Sequence, residues 1–444
     1  MKPVRSLTGH TPQSHTIMCT KKIFILIIAV FFSGQIYAQY STYDLDLLQF
    51  VAGGGSSSTS PEDVATAQNE LAIRYFKGTG GATKNFEKAV YWYTKSANNG
   101  NRYAQNNLAY AYLNGNGTSV DKSKALYWFE QSGNQHFHSA ALMAGKMYYY
   151  GDGTAVNYSK AARMFKDAAF GDIPEGKYYY AMSYAYGHGV QVDSTKAILW
   201  AERAIDGGYN WAYWLLGHMY AEGLAVKKDD WSAKYYFEKG DELNVHGCQN
   251  DLGVAYATGS FVEKDMEKAM DYYLKAANNG STVAMSNLAN NYRRKDSGYY
   301  NPSQAIIWYR KLVDGGNDKY IDYLIDLYEE MGDYRDAISL YEKQAMQGKT
   351  SALNQLAYIY AEGKGVNKDY DKALSYIEKA ISLAPDDMDY QDSKGEILVM
   401  KGDIKKAKKV WKLINTNQPL YYQNWIKKYG EEPPFYTYMK ANGN

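Results

Sequence analysis

NFEKAVYWYTKSANNG occupies positions 85–100, and DMEKAMDYYLKAANNG occupies positions 265–280; the same alanine, aromatic pair, lysine and terminal glycine return after 180 residues, five times 36. Working outward from this pair, the alanine of each such segment falls at Ala89, Ala125, Ala161, Ala197, Ala233, Ala269 and Ala305, always 36 residues apart, and then at Ala337, Ala373 and Ala407. A fixed period of this length is the signature of a repeat architecture, in which each unit is one supersecondary element. Ten units are visible between about residue 63 and residue 415.

Each unit reads as two helices. The segment AQNNLAYAYLNG (104–115) sets Ala104, Leu108 and Tyr112 four residues apart, on one face of a first helix, helix A; Leu71 and Tyr75, Leu216 and Tyr220, Leu252 and Tyr256, and Leu356 and Tyr360 repeat the arrangement. Glycine-bearing breaks follow, as in GNGTSVD, GDGTAVN, GHGVQVD and GKGVNKD, where glycine supplies a left-handed residue to end helix A. Asp or Asn at 121, 157, 193, 265, 301 and 369 then stands where it caps the next helix. Helix B is the opening quotation, with Ala89, Trp92, Tyr93 and Ala97 as its apolar stripe. Such a pair cannot bury its apolar side alone, so stacking on neighbouring pairs is required, and the aromatic residues fill the wider gaps between units.

These residues resemble the Sel-one-like repeat (SLR), a relative of the tetratricopeptide repeat. The match lies in A-x-x-x-L-x-x-x-Y-x-x-G, a G-x-G-type loop with a following Val, and D-x-x-K-A-x-x-W-Y-x-K-A-A-x-x-G, carried by units from 67 to 316 and by the unit from 352. The seventh unit is degraded, with Lys295 in the place of the loop glycine. EEMGDYRDAISLYEKQA (329–345) and VMKGDIKKAKKVWKL (399–413) have the shorter turn of the tetratricopeptide form, and ISLAPDD (381–387) ends its helix with that form's proline. The resemblance implies an all-α fold, a right-handed α-solenoid of about ten stacked helix-turn-helix repeats. It divides the chain into a Sel-one-like array at 63–316 and mixed repeats at 317–416.

Outside the array, Lys21 and Lys22 precede the apolar run Ile23–Phe32, with small Ala38 at a cleavage position, so residues 1–38 read as a secretory signal peptide that is too short to span a membrane. Met18 offers an alternative start with a more ordinary basic region. The expected location is therefore exported, periplasmic or secreted, and the signal type and the resemblance together suggest a bacterial source. Residues 39–62, with VAGGGSSSTSP, read as a flexible linker, and the aromatic, proline-bearing tail 417–444 as a cap on the last helix pair. Cys19 would leave with the signal; Cys248 falls where other units place Ala67, Ala104, Ala140, Ala212, Ala284 and Ala352, so it reads as a small core residue.

Forty-nine basic against 48 acidic residues leave no basic field of the kind that draws nucleic acid. No cofactor or metal set stands out. The G-x-G triplets recur once per unit without a preceding strand, which is not a phosphate cradle. Ser119-Val120-Asp121-Lys122 has the S-x-x-K spacing of penicillin-recognising enzymes, at loop positions where a helix cap is expected. His136 and His138 lack neighbouring ligands in the sequence, and the pairs Glu329–Glu330 and Asp386–Asp387 read as solvated turn residues. The reading is therefore of a non-catalytic chain.

In tetratricopeptide-like arrays helix A lines the concave surface, and the resemblance carries this to positions two before and two after the helix-A leucine. The first row is Asn69, Asn106, Leu142, Tyr178, Trp214, Asn250, Ser286, Asp322 and Asn354; the second is Ile73, Tyr110, Lys146, Met182, His218, Val254, Asn290, Asp326 and Tyr358. The rows vary between units while the packing positions do not. The asparagine amides suit a peptide backbone, and Tyr178, Trp214 and Tyr110 suit aromatic anchors. The candidate partner-binding set is thus Asn69, Asn106, Tyr110, Tyr178, Trp214, His218, Asn250, Asn290, Asn354 and Tyr358. The function expected is an exported interaction scaffold for a protein or peptide in the cell envelope or outside the cell. A second reading, a glycan or peptidoglycan binder, rests on the aromatic content, and a third, a β-lactamase-like enzyme, on the S-x-x-K spacing.

Overall fold

The computed structural model of the protein describes residues 40–417, with side chains to 414. The signal segment, its alternative start, and the C-terminal tail beyond 417 lie outside the described residues.

Among the described residues every regular element is helical. They are α1 Leu45–Ala52, α2 Pro61–Lys77, α3 Phe86–Asn98, α4 Arg102–Asn114, α5 Lys122–Asn134, α6 His138–Tyr150, α7 Tyr158–Phe170, α8 Pro174–Tyr186, α9 Ser194–Asp206, α10 Trp211–Glu222, α11 Asp230–Glu242, α12 His246–Thr258, α13 Met266–Asn278, α14 Thr282–Arg293, α15 Pro302–Asp314, α16 Ile321–Met331, α17 Tyr334–Met346, α18 Thr350–Glu362, α19 Tyr370–Leu383, α20 Met388–Lys401 and α21 Ile404–Asn417. From α2 onward the described helices form ten helix pairs, and within each of the chain's two compact units adjacent helices pack on one another, the arrangement of an α-solenoid of helix-turn-helix repeats. The chain divides into two compact units between Cys248 and Gln249, within α12.

Local chemistry sets the period. Gly115, at the end of α4, has φ 72°, the left-handed turn that a side chain resists, and its N–H bonds the Ala111 carbonyl. The loop then returns so that the Asp121 N–H meets the Tyr112 carbonyl at 2.9 Å, while the Asp121 carboxylate accepts the Lys124 N–H at 2.9 Å. Asn157, Asp193, Asp265 and Asn301 make the same pair of bonds, and Asp369 caps α19 in the same way. The second loop glycine touches the preceding repeat, since a Cβ on Gly189 would collide with the Tyr158 carbonyl. In the degraded seventh unit α14 ends on Arg294 in an extended conformation, without the left-handed residue.

Tyrosines pack between neighbouring pairs, as in Tyr149–Tyr179 and Tyr309–Tyr323, and also inside the pairs. The recurring helix-A tyrosine lies stacked on a helix-B ring in Tyr220–Tyr236, Tyr256–Tyr272 and Tyr360–Tyr376, at 5.6 to 5.7 Å between centroids. The lysine that follows the cap lies over the same tyrosine, as Lys124 over Tyr112, Lys160 over Tyr148, Lys268 over Tyr256 and Lys372 over Tyr360. Cys248 is fully buried, at its alanine position.

The expected linker is corrected at its centre. Residues 45–52 form α1, capped by Asp44, and its buried Leu48 and Ala52 join Tyr40, Ala67 and Leu71 in one cluster. Gln68 donates to the Ala52 carbonyl at 2.9 Å, and the buried Arg74 guanidinium reaches the Tyr40 and Ser41 carbonyls. The physical reason is the open apolar side of the first pair, which α1 covers. Helix α2 begins at Pro61, capped by Ser60, two residues before the expected start of the array.

Candidate functional site

The helix-A rows are the positions where the repeats differ, and the described structure sorts them. Tyr110 and Asn290 are exposed; Asn106, Trp214, His218, Asn354 and Tyr358 are half-buried. Asn69, Tyr178 and Asn250 are buried, so these three do not present their side chains to a partner. The reason lies in the neighbouring repeat. Asn107, in the next unit, donates to the Asn69 Oδ1 at 3.3 Å, and Asn287 does the same to Asn250 at 3.1 Å. Tyr178 is covered by the Tyr179 and Tyr209 rings, at 5.2 and 5.1 Å, and burial pushes its hydroxyl far above the ordinary phenol range.

What remains on the row face of the first unit is three rings, Tyr110, Trp214 and His218, beside Ile73, Asn106, Lys146 and Met182. Trp214 and His218, one turn apart on α10, stack in parallel at 5.3 Å, and Tyr186 continues the ring contacts from α8 at 6.5 Å. The Lys146 ammonium pairs with Glu175 at 2.9 Å, and Tyr110 lies edge-on to Phe129. Between Ile73 and Tyr110 a shallow groove of about 300 Å³ is lined also by Phe76, Tyr93 and Asn107.

In the second unit the row face is polar apart from the exposed Val254. Tyr309 donates to the Asn290 Oδ1 at 2.6 Å, Lys349 and Gln344 each donate to Asp322 at 2.8 Å, and Tyr358 donates to the Glu396 Oε2 at 2.7 Å. Glu396 and its neighbour Asp392 were outside the rows read from sequence, because Lys394 replaces the leucine that marks the register. The signal that finds them is a glycine. Gly145, Gly217 and Gly253 pack against the Phe165, Phe237 and Tyr273 rings, and row residues stand three before and one after each; Gly395 packs against Trp411 in the same way, which gives Asp392 and Glu396.

The chemistry weighed at other positions resolves as follows. Lys122 of the S-x-x-K segment is paired with Asp152 at 2.7 Å, and Asp121 is the cap of α5. His136 and His138 each bring Nδ1 to one oxygen of Asp167, at 2.9 and 3.1 Å, a partner that lies 31 and 29 residues further on. Among the described residues no group of three or more His, Cys, Asp or Glu is placed to hold a metal ion, and no described helix is long and apolar enough to cross a membrane.

Comparison with known proteins finds repeat models along the array. The Sel1 repeat model matches residues 65–101, 102–137, 138–169, 174–209, 212–240, 246–281, 282–317 and 350–384, together more than half of the chain. A tetratricopeptide-repeat model matches 324–351, the unit with the two-residue turn between α16 and α17. Among solved structures, the chain is similar to a protective antigen of uropathogenic Escherichia coli strains displaying an SLR fold, at 25% identity over 90% of this chain and 97% of that one, with a TM-score of 0.45. It is also similar to a Sel1 repeat protein from Oxalobacter formigenes, at 28% identity over 54% and 94% of the two chains, with a TM-score of 0.46. A stretch of 79 residues, 18% of this chain, is 30% identical to the ERAD-associated E3 ubiquitin-protein ligase component HRD3 of Candida glabrata; the chain covers 10% of that relative's length.

Proposed function

This chain belongs to the Sel1 repeat family, and on that premise we propose that it is an exported, non-catalytic scaffold that binds a protein or peptide along the helix-A rows, the concave face of the array. The observation that carries the reading is the contrast within helix A. Positions that pack against helix B repeat from unit to unit, whereas the rows change residue by residue and leave Tyr110, Trp214 and His218 accessible on the first unit. Large, stiff aromatic side chains beside half-buried amides are the composition of interface anchors. Burial of Asn69, Tyr178 and Asn250 makes them supports of this face.

Export is part of the same reading. It rests on Lys21, Lys22, the apolar run from Ile23 to Phe32, and the small residue Ala38, and the mature chain would begin at Gln39.

The test is affinity capture from a cell-envelope extract with the mature chain, followed by the same capture with Tyr110→Ala and Trp214→Ala combined. Retention of a defined protein by the parent chain, and its loss by about tenfold or more in the double variant with unchanged helical circular dichroism, is the expected result. Equal retention by both would remove the rows as the binding face.

A further inference from the structure

The repeat is its own control for what the fold requires, and one edge of the first unit departs from it. At the last position of helix B, the seven units spaced by 36 residues place Asn98, Asn134, Asp206, Glu242, Asn278 and Asp314, all exposed and polar, and then Phe170, which is 67% exposed. Two residues further on, in the turn to the next helix A, the backbone of all seven is left-handed, and glycine serves this position in four of them, at Gly100, Gly208, Gly280 and Gly316. Asn244 serves it in a fifth. In the two successive turns that follow α5 and α7 it is held by His136 and Asp172, at φ 59° and 61°. Side chains are therefore gathered on this edge that the other units build without.

Phe170 stands between two shallow cavities and lines both. The first, of about 320 Å³, is bordered by His136, Arg163, Met164, Lys166 and Asp167, and the second, of about 340 Å³, by Asp172, Lys177, Trp200, Arg203 and Asp206. The Phe170 ring meets Trp200 edge-on at 5.3 Å; the Lys166 ammonium lies 6.0 Å from the Phe170 ring, and the Arg203 guanidinium 4.8 Å from that of Trp200. Most of the nearby carboxylates are engaged. Asp167 holds His136 and His138 on separate oxygens, and Asp172 pairs with Lys177. The Arg163 guanidinium donates to Asn134 and Glu130, each at 2.9 Å. Among the described residues Lys166 and Arg203 enter no ion pair, which leaves two free cations against the carboxylate of Asp206. None of these residues is a helix-A row position.

We propose that this edge is a second docking site, separate from the rows, for an acidic segment of a partner protein that carries an apolar side chain. The apolar side chain packs on Phe170, and the carboxylates on either side of it meet Lys166 and Arg203. An exposed phenylalanine ring gains from being covered by apolar surface. Ammonium and guanidinium groups that already lie on the two rings bring charge-assisted donors to the rim of the same contact, and the guanidinium can meet a carboxylate in two parallel bonds. The cavities beside Phe170 suit the side chains of such a segment. A lipid surface fits less well, because attraction to anionic headgroups takes clusters of about four to eight basic residues and this edge leaves two free.

The probe is the dansylated, amidated peptide Gly-Glu-Glu-Phe-Glu-Glu-Gly, titrated with the full mature chain and followed by fluorescence anisotropy. The expected results are saturable binding that weakens with salt, no binding when lysine replaces each glutamate of the peptide, and severalfold weaker binding when alanine replaces its phenylalanine. Phe170→Asn installs the residue that three other units carry at this position, so the urea midpoint should hold while peptide binding falls by about tenfold or more. Lys166→Gln combined with Arg203→Gln should weaken binding severalfold and flatten its salt dependence. Tyr110→Ala with Trp214→Ala should leave it unchanged, because the rows are a different face. A peptide that does not bind, or that binds the parent and the Phe170→Asn chain equally, overturns the proposal. Phosphatidylglycerol vesicles held by the parent and released by Phe170→Asn, with no peptide binding, would assign the edge to a membrane and overturn it as well.

Discussion

Gly145 and Phe165 show how single residues set the spacing inside a helix pair. A Cβ on Gly145 would lie 2.6 Å from the Phe165 ring, and Phe165 is fully buried. Alanine in place of a helical glycine normally gains roughly 1 kcal/mol from backbone entropy. Here the clash opposes that gain, and overpacking of this kind costs typically 1–3 kcal/mol, so Gly145→Ala is expected to destabilise the chain. Phe165→Ala alone should cost roughly 3–5 kcal/mol. Because Gly145→Ala places its methyl where the ring stood, the two costs should not add: the double variant is expected to be more stable than their sum allows by about 1 kcal/mol or more. Urea unfolding of the four chains measures this, and additive costs would contradict the contact. The same logic explains why a glycine was a better register mark than a leucine in the last repeat, where Gly395 meets Trp411 and Lys394 obscures the pattern.

Elements were legible wherever their ends are decided by local bonds. Each expected cap at 121, 157, 193, 265, 301 and 369 accepts a backbone N–H from the first turn of helix B, because a short oxygen-bearing side chain in extended backbone can reach no better donor. Asp333, before α17, looks like another such cap but makes no side-chain cap bond. This pair of sites gives an element-scale prediction. Asp193→Ala removes the 3.0 Å bond to the Lys196 N–H and should cost about 1 kcal/mol, whereas Asp333→Ala should stay within about 0.5 kcal/mol of the parent. Shifts in the urea midpoint compare them, and equal losses would show that cap geometry is not what holds helix B. Helix α1 was missed for the opposite reason. Its LDLLQFVA segment is short and lies beside a glycine-serine stretch, and only the exposed side of α2 gives its leucines somewhere to pack. The buried state of Asn69 and Asn250 was hidden in the same way, since it depends on Asn107 and Asn287 in the following repeat.

At the scale of the whole molecule, one period of 36 residues was enough to give the all-α repeat class, because helix pairs that each lack a second apolar partner can only stack. The same period gives the rows their geometry while leaving their chemistry free, so aromatic side chains gather on the first unit and carboxylates on the second. A period carries no record of what the rows meet. That question is put most directly by site-specific photocrosslinking in cells, with benzoylphenylalanine at Tyr110 or Trp214 on the rows and at Tyr91 or Tyr127, exposed on helix B. The account predicts that row positions give a discrete cross-linked protein and helix-B positions do not; cross-links from Tyr91 and Tyr127 alone would contradict it.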